Sequence, residues 1–256
     1  MADKLKLEIL GSGTSTGVPY IGCDCRVCRS ADPHDKRLRA SAFVQTGGVD
    51  ILIDAGPDLR YQLLRADIRH IDALLVTHSH YDHVGGIDDL RPFCYPDGLD
   101  VYCQADVDHA LRAHVPYCYA EHPYPGAPVL HDHIIKPLKP FTVKGVEVLP
   151  LPVNHYLMEI VGFKIGPLAY ITDAKHIQPE TIDAIRGVDT LVLNALREKE
   201  HISHLNLSDA LNVISSVNPR RAYLTHMSHD IGLHAEVNSR LPENVKLAYD
   251  GLTLEC

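Results

Sequence analysis

Thr77-His78-Ser79-His80-Tyr81-Asp82-His83-Val84-Gly85-Gly86 decides the reading of this 256-residue chain. Three histidines and an aspartate fall within six residues, directly behind the apolar run Ala73-Leu74-Leu75-Val76 and ahead of two glycines. A short buried strand is expected at 73–76. His78 and His80 sit one residue apart on the extended segment leaving it, so their rings point the same way, while Asp82 and His83 begin the turn that follows. One stretch thus offers four metal ligands, and mixed imidazole and carboxylate donors suit zinc, manganese or iron.

Outward from this stretch, short β-type runs alternate with helical patterns. Strands are expected at 5–10, 41–46, 49–53, 99–103, 141–149, 160–165, 168–172, 190–194, 221–225 and 245–249. Helices are expected at 57–65, 105–114, 179–186, 208–217 and 234–241, with Pro179 in a first turn and Ser208 as an N-cap. Such alternation indicates a layered α/β protein, read here as one domain over 1–256. The stretch 116–133, with four prolines, three tyrosines and three histidines, breaks the regularity. It reads as a rigid surface loop or as a lid beside the active site.

Composition narrows the function. The formal net charge is −9 and no run of Lys or Arg exceeds two, so the basic footprint of a nucleic-acid binder is missing and a small anion held by metal is the better partner. No apolar run approaches the roughly 18 residues of a membrane span, and the first residues carry no signal-peptide core, so no membrane association and a cytoplasmic location are expected. Seven cysteines, three of them at 23, 25 and 28, suggest metal ligation rather than disulfides. Three thiolates need a fourth ligand for tetrahedral zinc. His34 is nearest in sequence, and His229 is the other candidate.

The order H-x-H-x-D-H at 78–83, followed by His155 in PLPVNH, Asp173 in AYITDA and His226 in AYLTHMSH, resembles the metallo-β-lactamase superfamily. The resemblance implies a four-layer αββα sandwich. It also implies two divalent ions, Mn or Zn, one on His78, His80 and His155, the other on Asp82, His83 and His226, with Asp173 bridging. A bridging aspartate points away from true β-lactamases and toward the phosphodiesterase, nuclease and glyoxalase II branches. Asp54 in ILIDAG matches the early aspartate that orients ligands from behind. Gly85-Gly86 would let the backbone pass close beneath the metals. The glycine-rich loop 11–17 reads either as a phosphate cradle or as a tight turn.

TGVP at 16–19, GCDCRVC at 22–28, LIDAG at 52–56, THSHYDH at 77–83, PLPVNH at 150–155, Asp173 and LTHMSH at 224–229 together resemble the PhnP-like phosphodiesterases over almost the whole chain. That resemblance implies one structural zinc on Cys23, Cys25, Cys28 and His229. It places a general acid just before a helix starting at Leu207-Ser208-Asp209, which His204 fits better than His201. Catalytic roles therefore fall to His204 and Asp82. The implied substrate is a small, often cyclic, phosphodiester, with 5-phosphoribosyl 1,2-cyclic phosphate first and 2′,3′-cyclic nucleotides close behind. A monoanionic diester matches the charge of two dications, two carboxylates and a shared hydroxide. A homodimer fits the superfamily. The rivals are a ribonuclease Z-like tRNA nuclease, a thioesterase or lactonase, and a non-catalytic zinc-binding protein.

Overall fold

The structure, a computed structural model, describes residues 4–122 and 124–256. The first three residues and Pro123, one of the four prolines in the 116–133 stretch, lie outside the described residues. Two mixed sheets form the centre. The first takes β1 (Lys6–Gly11), β2 (Ser41–Thr46), β3 (Val49–Ile53), β4 (Ala73–Leu75), β5 (Leu99–Cys103) and β6 (Leu130–Ile134) in chain order, and β15 (Thr253–Glu255) closes it beside β1. The second takes β7 (Phe141–Val143), β8 (Val146–His155), β9 (Met158–Ile165), β10 (Leu168–Ile171), β11 (His176–Ile177), β12 (Thr190–Asn194), β13 (Arg221–Thr225) and β14 (Val245–Leu247). Its order runs β11, β8, β9, β10, β12, β13, β14, with β7 paired to β8.

Three apolar layers explain the expected αββα architecture. Between the sheets, Leu7, Ile9, Val44 and Ile51 meet Val161, Phe163 and Tyr170. Outside the first sheet, Leu74 and Val101 pack on α1 (Leu59–Arg65), α2 (Tyr81–Val84) and α3 (Ala105–His114) through Leu59, Leu63, Val84 and Leu111. Outside the second, Leu191, Leu193 and Leu224 are covered by α4 (Pro179–Ile185), α5 (Leu207–Val217) and α6 (His234–Asn238) through Ile185, Ile214 and Val237. Both sheets are buried on two faces, which is why their strands read as near-continuous apolar runs.

Several elements depart from expectation. The run 141–149 is a hairpin, because Lys144 and Gly145 both take positive φ (46° and 91°) and turn the chain between β7 and β8. Residues 130–134 form an edge strand parallel to β5, where the alternation Leu-His-Asp-His-Ile was masked by flanking prolines. Within 116–122, Tyr119 Oη donates to Asp132 and Tyr117 Oη to Asp88. The N-cap of α5 is Asn206, not Ser208: its side chain accepts from the Asp209 N–H at 2.7 Å, so the helix starts one residue earlier. Helix α1 begins at Leu59 rather than 57, and α6 stops at Asn238.

Phe163 is fully buried between the sheets. Phe163→Ala is expected to cost about 3–5 kcal/mol in urea denaturation. A loss below about 1 kcal/mol would show that the two sheets close over the gap.

Candidate active site

The C-terminal ends of several strands meet at one edge of the sandwich, and each delivers a polar side chain. His78 and His80 follow β4, His155 ends β8, Asp173 follows β10 and His226 follows β13. Asp54, Asp173 and His226 all hold positive φ (60°, 59° and 55°), a conformation costly for non-glycine residues that turns each chain sharply off its strand. His78, His80 and His155 converge in one group, and Asp82, His83, Asp173 and His226 in a second, each with donor atoms within 4.8 Å of one another. Asp173 also groups with His155 and His204. It stands between the two sets.

The rings are aimed from behind. Asp54 accepts from His83 Nδ1 (2.7 Å), from Thr77 Oγ1 (2.8 Å) and from the Thr77 N–H (2.8 Å), leaving His83 Nε2 to face Asp82 and Asp173 at 3.2 and 3.3 Å. Thr77 Oγ1 in turn accepts from His78 Nδ1 at 3.0 Å. His155 Nδ1 donates to the Ser203 carbonyl at 2.9 Å. Sequence reading missed Ser203, because a carbonyl has no residue signature. Asn194 is buried and clamps Ala174 through both amide groups, at 2.8 and 2.9 Å, fixing the turn that carries Asp173.

Glycines allow the close packing beneath. A Cβ on Gly56 would lie 2.1 Å from the Asp82 carbonyl, and one on Gly86 would lie 2.1 Å from the Gly56 carbonyl. In the 11–17 loop the Ser12, Gly13, Thr14 and Gly17 N–H groups donate within the protein.

These residues fit divalent cations. Asp54, Asp82 and Asp173 are buried, and among the described residues their only ion-pair partners are histidines. Nε2 of His83 and both ring nitrogens of His226 are buried without a hydrogen-bond partner, close to carboxylates yet not aligned with them. His78 Nε2 and His80 Nδ1 face each other at 3.1 Å. Burial opposes ionisation of Asp82 and Asp173, but neighbouring histidines outweigh it and hold both below the usual carboxylate range. Burial pushes His78 down, whereas Asp173 and Asp54 overcome burial at His83 and hold it up. His204, Nε2 3.1 Å from Asp173 Oδ1, is lowered to about 4 by burial, which its bond to Asp173 only partly offsets. His201 lies behind it, their Nδ1 atoms 3.1 Å apart.

A second cluster lies nearby. Cys23, Cys25, Cys28 and His229 converge, with His229 Nδ1 at 3.5 Å from Cys23 Sγ and 3.3 Å from Cys25 Sγ. The Cys28 N–H and His229 lower the Cys25 thiol to about 6, as zinc ligation favours, while burial raises Cys28 to about 11. His34 instead stacks on His234 and meets Tyr249 edge to face, at 4.8 and 4.3 Å between ring centroids.

An αββα sandwich with this donor set at its strand ends defines a metallo-β-lactamase-type hydrolase, a fold that generally binds divalent metals such as zinc. Residues 50–227 match the β-lactamase superfamily domain. Within that superfamily the chain belongs to the PhnP family: it is 39% identical to a crystal structure described as a new diphosphatase from that family, with a TM-score of 0.94, covering 100% of this chain and 98% of that one. It is 45% identical over 250 residues to an octanoyltransferase of Porphyromonas gingivalis, spanning 97% of this chain but about half, 51%, of that longer protein. Zinc-bound PqqB from Methylobacterium extorquens shares the fold at 20% identity, with a TM-score of 0.80 over 98% of this chain and 100% of that one. Among the described residues, no helix is long and apolar enough to cross a membrane.

If the cysteine cluster holds zinc, Cys28→Ser and His229→Ala should each lower zinc content by about one equivalent per chain and lower the thermal midpoint. Unchanged zinc content in both variants would exclude that ligand set.

Proposed function

We propose that the chain hydrolyses a small phosphate diester with two divalent ions, Mn or Zn, in the cluster at the strand ends. His78, His80 and His155 would hold one ion, Asp82, His83 and His226 the other, and Asp173 both. The observation that carries the reading is the position of His204, buried and within 3.1 Å of the carboxylate that joins the two donor groups, yet outside both of them. When bound, the ions would supply Lewis acidity to phosphoryl oxygens and lower the pKa of the attacking water.

The chain's own residues do the rest. Asp54 and Thr77 keep the rings of His83 and His78 in one orientation, so that the donors are set before substrate arrives. Asp82 contributes a carboxylate to the second donor group. Burial keeps free His204 neutral, and a phosphate anion beside its ring favours the protonated form, from which Nε2 delivers a proton to the departing oxygen. The net charge of −9 favours a small anion over an RNA, against the ribonuclease Z reading. By family likeness the first substrate to test is 5-phosphoribosyl 1,2-cyclic phosphate, with a 2′,3′-cyclic nucleotide beside it.

One observation favours a second reading. The P. gingivalis relative is named for octanoyl transfer, and thioester hydrolysis is open to the same donor set. The match covers 51% of that protein, whereas the name belongs to its whole length.

The test loads the protein with Mn and compares cyclic phosphates with an octanoyl thioester. Turnover of a phosphodiester with the thioester inert is expected, and the reverse would overturn the assignment. His204→Ala should lower kcat on the cyclic phosphate by about 10²–10⁴. On bis(p-nitrophenyl) phosphate, whose leaving group departs without a proton, the same variant should lose less than about tenfold. Equal losses on both would remove His204 from the role of acid.

A further inference from the structure

Four two-residue hairpin turns join described strands. Gly47-Gly48, Lys144-Gly145 and Gly166-Pro167 each contain glycine at positive φ. The fourth, between the paired His155 and Met158, is Tyr156-Leu157, with Tyr156 at φ 55°. Such turns favour Asn and Gly because side chains strain at positive φ. An aromatic residue there, followed by a leucine that is 85% exposed, serves neither turn geometry nor core burial.

This tip directly follows a histidine of the candidate active site. Tyr156 is 50% exposed, and Ile202, 66% exposed, precedes the Ser203 whose carbonyl takes the His155 N–H. Tyr81, 68% exposed, lies between His80 and Asp82. The rings of His80, His155, His204 and His201 form a contiguous series, with centroids 5.0, 4.7 and 5.1 Å apart in turn. The apolar residues are therefore carried by the backbone bordering that series.

We infer that Tyr156, Leu157 and Ile202, with Tyr81, form a specificity rim that selects phosphodiesters whose retained ester group is apolar, an aliphatic chain or an aromatic ring, over those whose group is small. This rests on the phosphoesterase reading and adds the class of substituent. In the reaction, water oxygen bonds to phosphorus as the bond to the leaving oxygen breaks. The products are the leaving alcohol or phenol and a phosphate monoester that keeps the apolar group.

Two measurements on Mn-loaded protein separate the inference from its foundation. Calorimetric titration with methyl-, phenethyl- and octylphosphonate needs no turnover. Octyl- or phenethylphosphonate should bind at least about tenfold tighter than methylphosphonate. The paired substitution Leu157→Ser with Ile202→Ser should reduce that ratio below about threefold, while Leu64→Ser, at a similarly exposed leucine on α1, should leave it intact. Equal binding in the wild-type protein, or an unchanged ratio in the paired variant, would overturn the rim. Hydrolysis of the methyl, phenethyl and octyl esters of p-nitrophenyl phosphate, which share one leaving group, is followed in parallel. Turnover without preference overturns the rim alone. Preference in binding without any turnover overturns the phosphoesterase reading and leaves the rim standing.

Discussion

The structure turns on the burial of three carboxylates, Asp54, Asp82 and Asp173, with histidines as their ion-pair partners. An uncompensated buried carboxylate is costly enough that a protein normally neutralises it or pairs it with Arg or Lys. Here Asp54 is compensated from within, by the Thr77 N–H and hydroxyl and by His83. Asp173 accepts from the Thr172 hydroxyl, but among the described residues the ion-pair partners of Asp82 and Asp173 are all histidines, and those are the residues best able to share a dication. The same demand explains the left-handed backbone at Asp54, Asp173 and His226, which lets strand ends from both sheets aim side chains at one point.

The two clusters are mechanically one piece. His226 and His229 are three residues apart and belong to different groups, so the turn between them must be held. Arg37 does this from a fully buried position. It donates to the carbonyls of Ser228 and Gly232 and pairs with Asp35, which in turn accepts the His234 N–H. Met227 is fastened to the first loop as well, its N–H to Ser12 and its carbonyl from Thr14. Closing three thiols and His229 on a metal would tighten the same loop against 23–28. Through that turn a metal on the cysteine cluster would bear on where His226 stands.

What was legible in the sequence follows from how each feature is encoded. The fold and the family were legible because ligands sit directly after strands: a greasy run followed by His or Asp records both the strand and its functional end. His155, Asp173 and His226 were readable in that way, and the structure places all three at the same edge. The β6 strand was not, since an edge strand carrying two histidines and an aspartate between prolines has no apolar continuity. The start of α5 was misjudged because Asn206 and Ser208 are both good capping residues, and only the three-dimensional bond from Asn206 to the Asp209 N–H decides between them. Backbone partners such as the Ser203 carbonyl leave no trace at all in residue identity.

The hairpin of β8 and β9 shows why packing and chemistry cannot be separated here. Its register pairs Pro150 with Phe163 and His155 with Met158. Leu151 and Val153 are buried against the helices of the second sheet, and His155 continues their face by the two-residue period of a strand. Phe163 on the partner strand is buried between the sheets. A slip of one residue would turn Leu151 and Val153 away from their layer and His155 away from the metal donors in the same movement. The apolar cores therefore select the register, and the register places the ligand. A protein that must hold seven donors in one geometry gains that precision from strands whose pairing is already fixed by hydrophobic burial.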